Sequence, residues 1–222
     1  MRARLAWVPS FVVGAAAATV AAVAVALLLY SGEGMLRSLT LIVTVELMAL
    51  GVGLASPPVA EWPGVVESLR KRWLWVLITF LVASVFTVAW TFGEGFGARA
   101  TTQALGLTLL AGLPLYACGR LLSAISMVWI ADGRPMGGAV AALGAALGVL
   151  VTGLSGLSRL GAPSLLLFLL IVLSGTALLQ GSMLEGVEEV HAAGGDGLLG
   201  SEVGMESKSE MESKHESEME PS

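Results

Sequence analysis

One acidic side chain, Glu46, lies at the middle of an otherwise apolar stretch, residues 36–55 (LRSLTLIVTVELMALGVGLA). An apolar stretch of about 20 residues is long enough to cross a bilayer as a helix. A carboxylate at that depth is costly, so it must be neutral, paired or turned toward a wet cavity. Glu46 is therefore either a polar group that fixes helix packing or an intramembrane site for a proton or a cation.

Arg120 is the basic residue best placed to pair with Glu46. It lies in a second long apolar stretch, residues 101–130. If this stretch reaches the membrane surface at Trp129, Arg120 lies about 13 Å deeper, close to the level of Glu46, and an ion pair becomes possible. If the stretch leaves the membrane near Arg120, the guanidinium reaches the interface and only marks topology. The sequence leaves both arrangements open.

Few other polar residues are available to share a cavity with Glu46. Thr44, Gln103 and Tyr116 lie on the same two stretches and are the candidates for lining it. Hydroxyl groups in membrane helices commonly bond to their own helix or to a neighbouring one instead. A transport path usually needs several polar groups, so this scarcity favours a structural role over transport.

The sequence lacks the sets of residues that metal, haem and nucleotide sites need. The two histidines, His191 and His215, lie in the last 40 residues, and Cys118 is the single cysteine. Metal and haem ligands come in sets, and no such set lies within an apolar stretch. We therefore expect no metal, no cofactor, no catalytic residue and no nucleic-acid partner.

A short motif near residue 155 is similar to one in a protease family. Residues 153–156 (GLSG) resemble the GxSG motif of rhomboid intramembrane proteases, in which a histidine on another membrane helix activates the serine. Here no histidine or lysine lies within an apolar stretch, and a serine without a base is a poor nucleophile. An intramembrane hydrolase is therefore the third functional alternative, and the chain is predicted not to be an enzyme.

The composition identifies the elements that must position these residues. The chain has 222 residues, of which 55% are hydrophobic and 13% charged, as in polytopic membrane proteins. The sequence predicts an all-α protein with six spans arranged as three sequential hairpins, at about residues 7–30, 36–55, 73–92, 101–130, 136–156 and 163–183. Residues 59–72 are predicted to form a short interfacial lead-in to the third span, and Pro114 is the expected place for a bend in the fourth. The first span could instead be a cleaved signal, but its apolar stretch is longer than a signal needs.

Basic residues beside the spans predict the orientation. With the N-terminus inside, the inner side collects Arg2, Arg4, Arg70, Lys71, Arg72 and Arg134, and the outer side only Arg37, Arg99 and Arg159. This distribution predicts a multi-pass protein of the cytoplasmic membrane with both termini in the cytoplasm. Residues 1–184 form the transmembrane domain, and residues 185–222, which carry eleven acids and two lysines, are predicted to be a disordered acidic tail.

Small residues predict one close helix contact. Gly144 and Gly148 form a GxxxG step in the fifth span, and such steps let two helices approach closely. We expect packing within the chain, because five other spans need neighbours, although a homo-oligomer through the same face is an alternative.

Two functions follow from these observations. The first is a non-enzymatic scaffold, accessory or assembly subunit that contacts membrane lipids and other membrane subunits. The second is a small permease or channel in which Glu46 is a proton or cation site. The Ala, Gly, Val and Arg usage is typical of a bacterial protein.

Overall fold

The computed structural model describes residues 2–31, 35–56, 62–92, 100–131, 137–153 and 161–182. The predicted acidic tail and residues 154–156 of the GLSG motif lie outside these residues. The chain divides into two compact units, Met1–Gln180 and Gly181–Ser222. In the second unit only Gly181 and Ser182 are described, at the end of the last helix.

The described residues form six helices and no strand, so the all-α prediction is confirmed. In chain order they are α1 (Arg2–Ser31), α2 (Met35–Leu54), α3 (Trp62–Phe92), α4 (Ala100–Ala131), α5 (Gly137–Val151) and α6 (Gly161–Ser182). Helices α1, α3, α4 and α6 each contain a stretch that is long and apolar enough to cross a membrane. The apolar stretches of α2 and α5 are shorter, Leu39–Leu54 and Gly137–Val151.

These sequences form helices because a helix satisfies its backbone hydrogen bonds internally, which an apolar environment requires. Large apolar side chains such as Leu47, Ile171 and Leu178 point outward, with 66%, 70% and 75% of their surface exposed. Most described hydroxyls donate within their own helix, as Ser84 does to the Phe80 carbonyl at 2.8 Å. The outer surface of the helix bundle is therefore apolar and suited to lipid.

Helices α3 and α4 are the two longest of the described helices, with 31 and 32 residues. The expected interfacial lead-in is not a separate element, because α3 runs without interruption from Trp62 to Phe92. Helix α4 continues through Pro114 as one helix of 32 residues, and the bend expected there stays a prediction. At about 1.5 Å per residue, both are longer than a hydrocarbon core of about 30 Å.

Helices α1 and α5 pack closely through small residues. Three contacts join them: Gly144 to Phe11, Gly148 to Ala15 and Thr152 to Thr19. Because the residue numbers of these contacts increase in the same direction on both helices, α1 and α5 run parallel. The hydroxyl of Thr152 lies 3.2 Å from that of Thr19, which adds a polar contact one turn beyond the glycines.

Helices α2 and α4 are also parallel. Three contacts set their register: Val45 to Gly112, Gly53 to Gly119 and Ser56 to Ser123. A Cβ on Gly119 would lie 2.6 Å from the carbonyl oxygen of Leu50, so the two backbones approach closely only because this residue is glycine. In this register Glu46 is level with Leu113, and Gly53 is level with Arg120.

Helix α3 runs antiparallel to α4, so α2, α3 and α4 alternate in direction. Phe86 lies over Gly106 near one end of the pair, and the Arg72 guanidinium donates to the Arg120 carbonyl near the other end. Helix α6 joins the same end through a buried side-chain hydrogen bond of 2.6 Å, from the Trp73 indole to the Gln180 amide oxygen.

The bond between Trp73 and Gln180 yields a prediction about stability. Replacing Trp73 with phenylalanine leaves the buried Gln180 without this donor, so we expect a loss of about 0.6–2 kcal/mol in unfolding free energy. Thermal unfolding in detergent measures it. Trp75→Phe is the matched control, because Trp75 is two residues away on the same helix and 61% exposed. Equal effects of the two substitutions would contradict the prediction.

Candidate functional site

Glu46 lines a groove with a volume of about 460 Å³ between α1, α2, α4 and α5. Helices α1 and α5 supply its small residues, which are Gly14, Ala17, Ala18, Ala21, Gly137, Gly138, Ala141, Ala142 and Ala145. Helices α2 and α4 supply larger apolar residues, which are Val43, Leu47, Leu50, Leu54, Leu115 and Leu122. The groove therefore lies between two helix faces made of small residues and two helix faces made of large apolar residues.

Glu46 is buried, with 8% of its surface exposed, and is the one charged residue among those lining the groove. Its Oε1 atom is buried and has no hydrogen-bond partner among the described residues. A buried acceptor without a donor costs about 1–3 kcal/mol relative to a satisfied one. The fold of the described chain thus carries a polar group that it does not itself satisfy.

The other polar residues of the groove are three serines, and each already donates to a backbone carbonyl. Ser10 donates to Ala6 at 2.7 Å, Ser123 to Ser56 at 3.2 Å and Ser126 to Ser123 at 2.7 Å. None of these bonds is directed to Glu46. The groove therefore combines one acid with walls that are otherwise apolar or internally bonded.

The groove reaches the outer surface of the bundle. Leu47 and Leu54 line it and are 66% and 47% exposed. It also runs lengthwise, from the level of Glu46 to Ser126 and to Gly137 at the start of α5. An occupant could therefore enter from the lipid side and lie along several turns of α2 and α4.

The structure does not bring Glu46 and Arg120 together. In the α2–α4 register Arg120 lies seven residues beyond the level of Glu46, which is about 10 Å along the helix axis. No ion pair joins them within the described chain, where Lys71 pairs with Glu67 on an exposed face of α3. Helix α4 extends well past the end of α2, so measuring depth from Trp129 placed Arg120 too far into the bundle.

Arg120 lies instead on a second cleft, of about 150 Å³, between α3 and α4. Its guanidinium carbon is 5.9 Å from the centre of the Tyr116 ring, one turn earlier on α4. Its Nε atom is buried without a hydrogen-bond partner. The two residues singled out from the sequence thus belong to two separate cavities, and each has an unsatisfied polar atom.

The remaining predicted residues occupy other positions. Thr44 is on an exposed face of α2 and donates to the Thr40 carbonyl at 2.7 Å, and Tyr116 lines the second cleft. Gln103 lies within α4, but its side chain is outside the described part of the structure. Gly144 and Gly148 are buried against α1, so this glycine face is used inside the chain. A homo-oligomer through it would have to displace α1.

Three features of the structure were not predicted from the sequence. Arg72 was counted only as a topological charge, although its side chain is buried. Gln180 was not considered, although a lone amide in an apolar helix is a signal for a partner. Gly53 and Gly119, which fix the α2–α4 register, were not recognised, because isolated glycines do not form a GxxxG step.

Comparisons of this chain with family models, with curated proteins and with solved structures found no significant match.

Proposed function

We propose that this protein is a non-enzymatic accessory subunit of a membrane complex, and that the Glu46 groove holds a transmembrane helix of a partner protein. The partner helix carries a basic residue near the middle of its span. The observation that carries this proposal is the unsatisfied carboxylate of Glu46 in a groove that is otherwise apolar.

The shape of the groove supports a helix as its occupant. Two of its walls are glycine and alanine faces, and such faces let a further helix approach closely in a membrane. The opening on the lipid side admits a span that diffuses laterally. The length of the groove, from Glu46 to Ser126, matches several turns of a parallel or antiparallel neighbour.

The charge of the groove supports a basic residue on that helix. A carboxylate within a bundle is stabilised by a cation that lies beside it, and the described chain supplies none there. Binding of the partner would therefore satisfy Glu46 and the partner's own intramembrane cation together. Neither group would be well placed in lipid alone.

We further propose that the complex lies in the cytoplasmic membrane with both termini of this chain inside. The basic run Arg70–Arg72 and Arg120 lie at the same end of the α3–α4 pair. Positive residues flanking spans favour the cytoplasmic side. Reporter fusions at the two termini and in the loop after α1 test this orientation.

Copurification from the native membrane tests the proposed function. The tagged chain is extracted in polymer nanodiscs without detergent, as wild type, Glu46→Leu and Leu50→Trp. We expect wild type to retain a stoichiometric partner with a basic residue in a span, and both variants to lose it. The control is Leu178→Trp, on the 75% exposed face of α6, which should retain it. Isolation of the wild type alone, or a partner that survives Glu46→Leu, would contradict the proposal.

One observation favours the permease as a second candidate. The groove continues from Glu46 to one end of the bundle, so a proton or cation that reached the carboxylate would have a route from that side. This candidate predicts pH-dependent flux in proteoliposomes of the purified protein, abolished by Glu46→Gln and unchanged by Thr44→Val. The accessory-subunit proposal predicts no flux above empty liposomes.

A further inference from the structure

The cleft between α3 and α4 contains two cations and, among the described residues, no acid. Its lining consists of Arg72, Trp75, Thr79, Leu113, Tyr116, Ala117 and Arg120. Arg72 donates to the carbonyl oxygen of Arg120 at 2.5 Å, so the two arginines are neighbours. Two like charges at one site raise its affinity for an anion.

The side chain of Arg72 points in a different direction from those of Arg70 and Lys71, the two basic residues before it. Lys71 is on an exposed face and pairs with Glu67 at 2.6 Å, and Arg70 is exposed. Arg72 is 7% exposed and points toward α4. A residue that only marked the membrane boundary would not need to be buried, so Arg72 has a further role inside the bundle.

Arg120 needs an acceptor. Its guanidinium carries five N–H donors; it makes a ring contact with Tyr116, and its buried Nε atom has no hydrogen-bond partner in the described chain. A guanidinium group is seldom left without an acceptor in a partly buried site, because the cost of desolvation is then uncompensated. An oxyanion in the cleft would supply the missing acceptors.

The level of the cleft indicates where the oxyanion comes from. Arg120 is level with Gly53, one residue before the end of α2, and Arg72 is level with Arg120. These residues therefore lie beside the end of α2, while α3 and α4 continue beyond them to Trp62 and Ala131, and they are at the depth of lipid headgroups if α2 crosses the bilayer. Trp75, an interfacial residue type, is 61% exposed beside them, and Leu113 is 46% exposed on the side of the acyl chains.

We propose that this cleft binds the phosphate of an anionic phospholipid headgroup. Arginine suits the phosphate because its planar fork donates two parallel hydrogen bonds to one group. The exposed apolar residues beside the cleft accommodate the start of an acyl chain. Basic pockets between membrane helices bind anionic headgroups in this way. The proposal is independent of the Glu46 groove, which lies on another side of α4 and shares no lining residue with this cleft.

Lipid retention tests the site. The purified protein is incorporated into nanodiscs of phosphatidylcholine with phosphatidylglycerol, and the lipid that stays bound after extraction into detergent is quantified by native mass spectrometry. We expect wild type to retain phosphatidylglycerol selectively and Arg120→Gln to retain roughly fivefold to tenfold less. Arg70→Gln removes the same charge from the exposed face and should retain as much as wild type. Equal loss in both variants would overturn the proposal, since binding would then depend on net charge alone.

Thermal unfolding under three conditions tests whether the effect is specific to the phospholipid. In nanodiscs of phosphatidylcholine alone, Arg120→Gln should unfold at the same temperature as wild type, which shows that it is folded. Added phosphatidylglycerol should raise the unfolding temperature of wild type and not of Arg120→Gln. Inorganic phosphate alone should leave the wild-type temperature unchanged. A full stabilisation by inorganic phosphate, with none added by the lipid, would overturn the assignment to a phospholipid.

Discussion

Replacing Glu46 with leucine is expected to raise the unfolding temperature of the isolated chain. The substitution removes a buried carboxylate whose Oε1 has no partner among the described residues, and it adds apolar volume to a mostly apolar groove. Removing an unsatisfied buried polar group should stabilise the isolated protein by about 1–3 kcal/mol. Thermal unfolding of the purified protein in detergent measures the change.

Two controls locate the effect at the carboxylate. Glu46→Gln keeps a polar group in the groove and should stabilise less than leucine. Thr44→Val removes a hydroxyl that is exposed and bonded within α2, so it should change the unfolding temperature little. A strongly lowered unfolding temperature for Glu46→Leu would mean that the Glu46 carboxylate already has a hydrogen-bond partner within the chain. It would then have no need of a partner protein's basic residue.

A gain in stability with a loss of partner binding would show what Glu46 contributes. Residues that serve binding are often unfavourable for the stability of the free protein, because their interactions are completed by the ligand. A leucine at position 46 would stabilise the free chain and leave a partner's basic residue without its acceptor. The two measurements together separate a binding residue from a packing residue, which would lose stability when replaced.

The largest loss of stability is expected from enlarging the glycines between α1 and α5. A Cβ on Gly144 or Gly148 would overlap the backbone carbonyl of Phe11 or Ala15, and backbone atoms cannot move aside as a flexible side chain can. Gly144→Leu and Gly148→Leu must therefore separate the two helices, which should cost at least about 1–3 kcal/mol. We expect poor yield or a strongly lowered unfolding temperature in detergent.

Gly51→Leu is the control for these two substitutions. Gly51 lies within α2, and a Cβ there would meet no atom within 4 Å. The same change in residue type should therefore be tolerated. Similar destabilisation by all three substitutions would mean that the effect comes from enlarging any helical glycine, and the close packing of α1 on α5 would then be refuted.

The helices could be predicted from the sequence because their signal is local. An uninterrupted apolar stretch has few alternatives to a membrane helix, so the predicted spans and the helix bounds agree within a few residues for α2 and α6. The burial of Glu46 follows from the same reasoning, since a carboxylate in such a stretch avoids lipid. Where polarity increases, the predicted lead-in to the third span is continuous with that span from Trp62 onward, as part of α3.

The relation between Glu46 and Arg120 could not be predicted, because it depends on register between helices that are far apart in sequence. That register is set by the close contact of Gly53 with Gly119 and by the bond from Ser123 to Ser56. Neither contact leaves a periodic pattern in the sequence. Of the two arrangements of Arg120 that the sequence leaves open, this register does not give the ion pair, and Glu46 and Arg120 line two separate cavities.

Photo-crosslinking from Leu50 is the most direct test of the groove. A photoreactive amino acid at position 50 faces the groove, and one at position 178 faces outward from α6. In native membranes, we expect position 50 to give one discrete adduct with another membrane polypeptide, through a segment of its span near a basic residue, and position 178 to give none. Adducts with lipid alone from both positions, or the same protein adduct from both, would contradict the account.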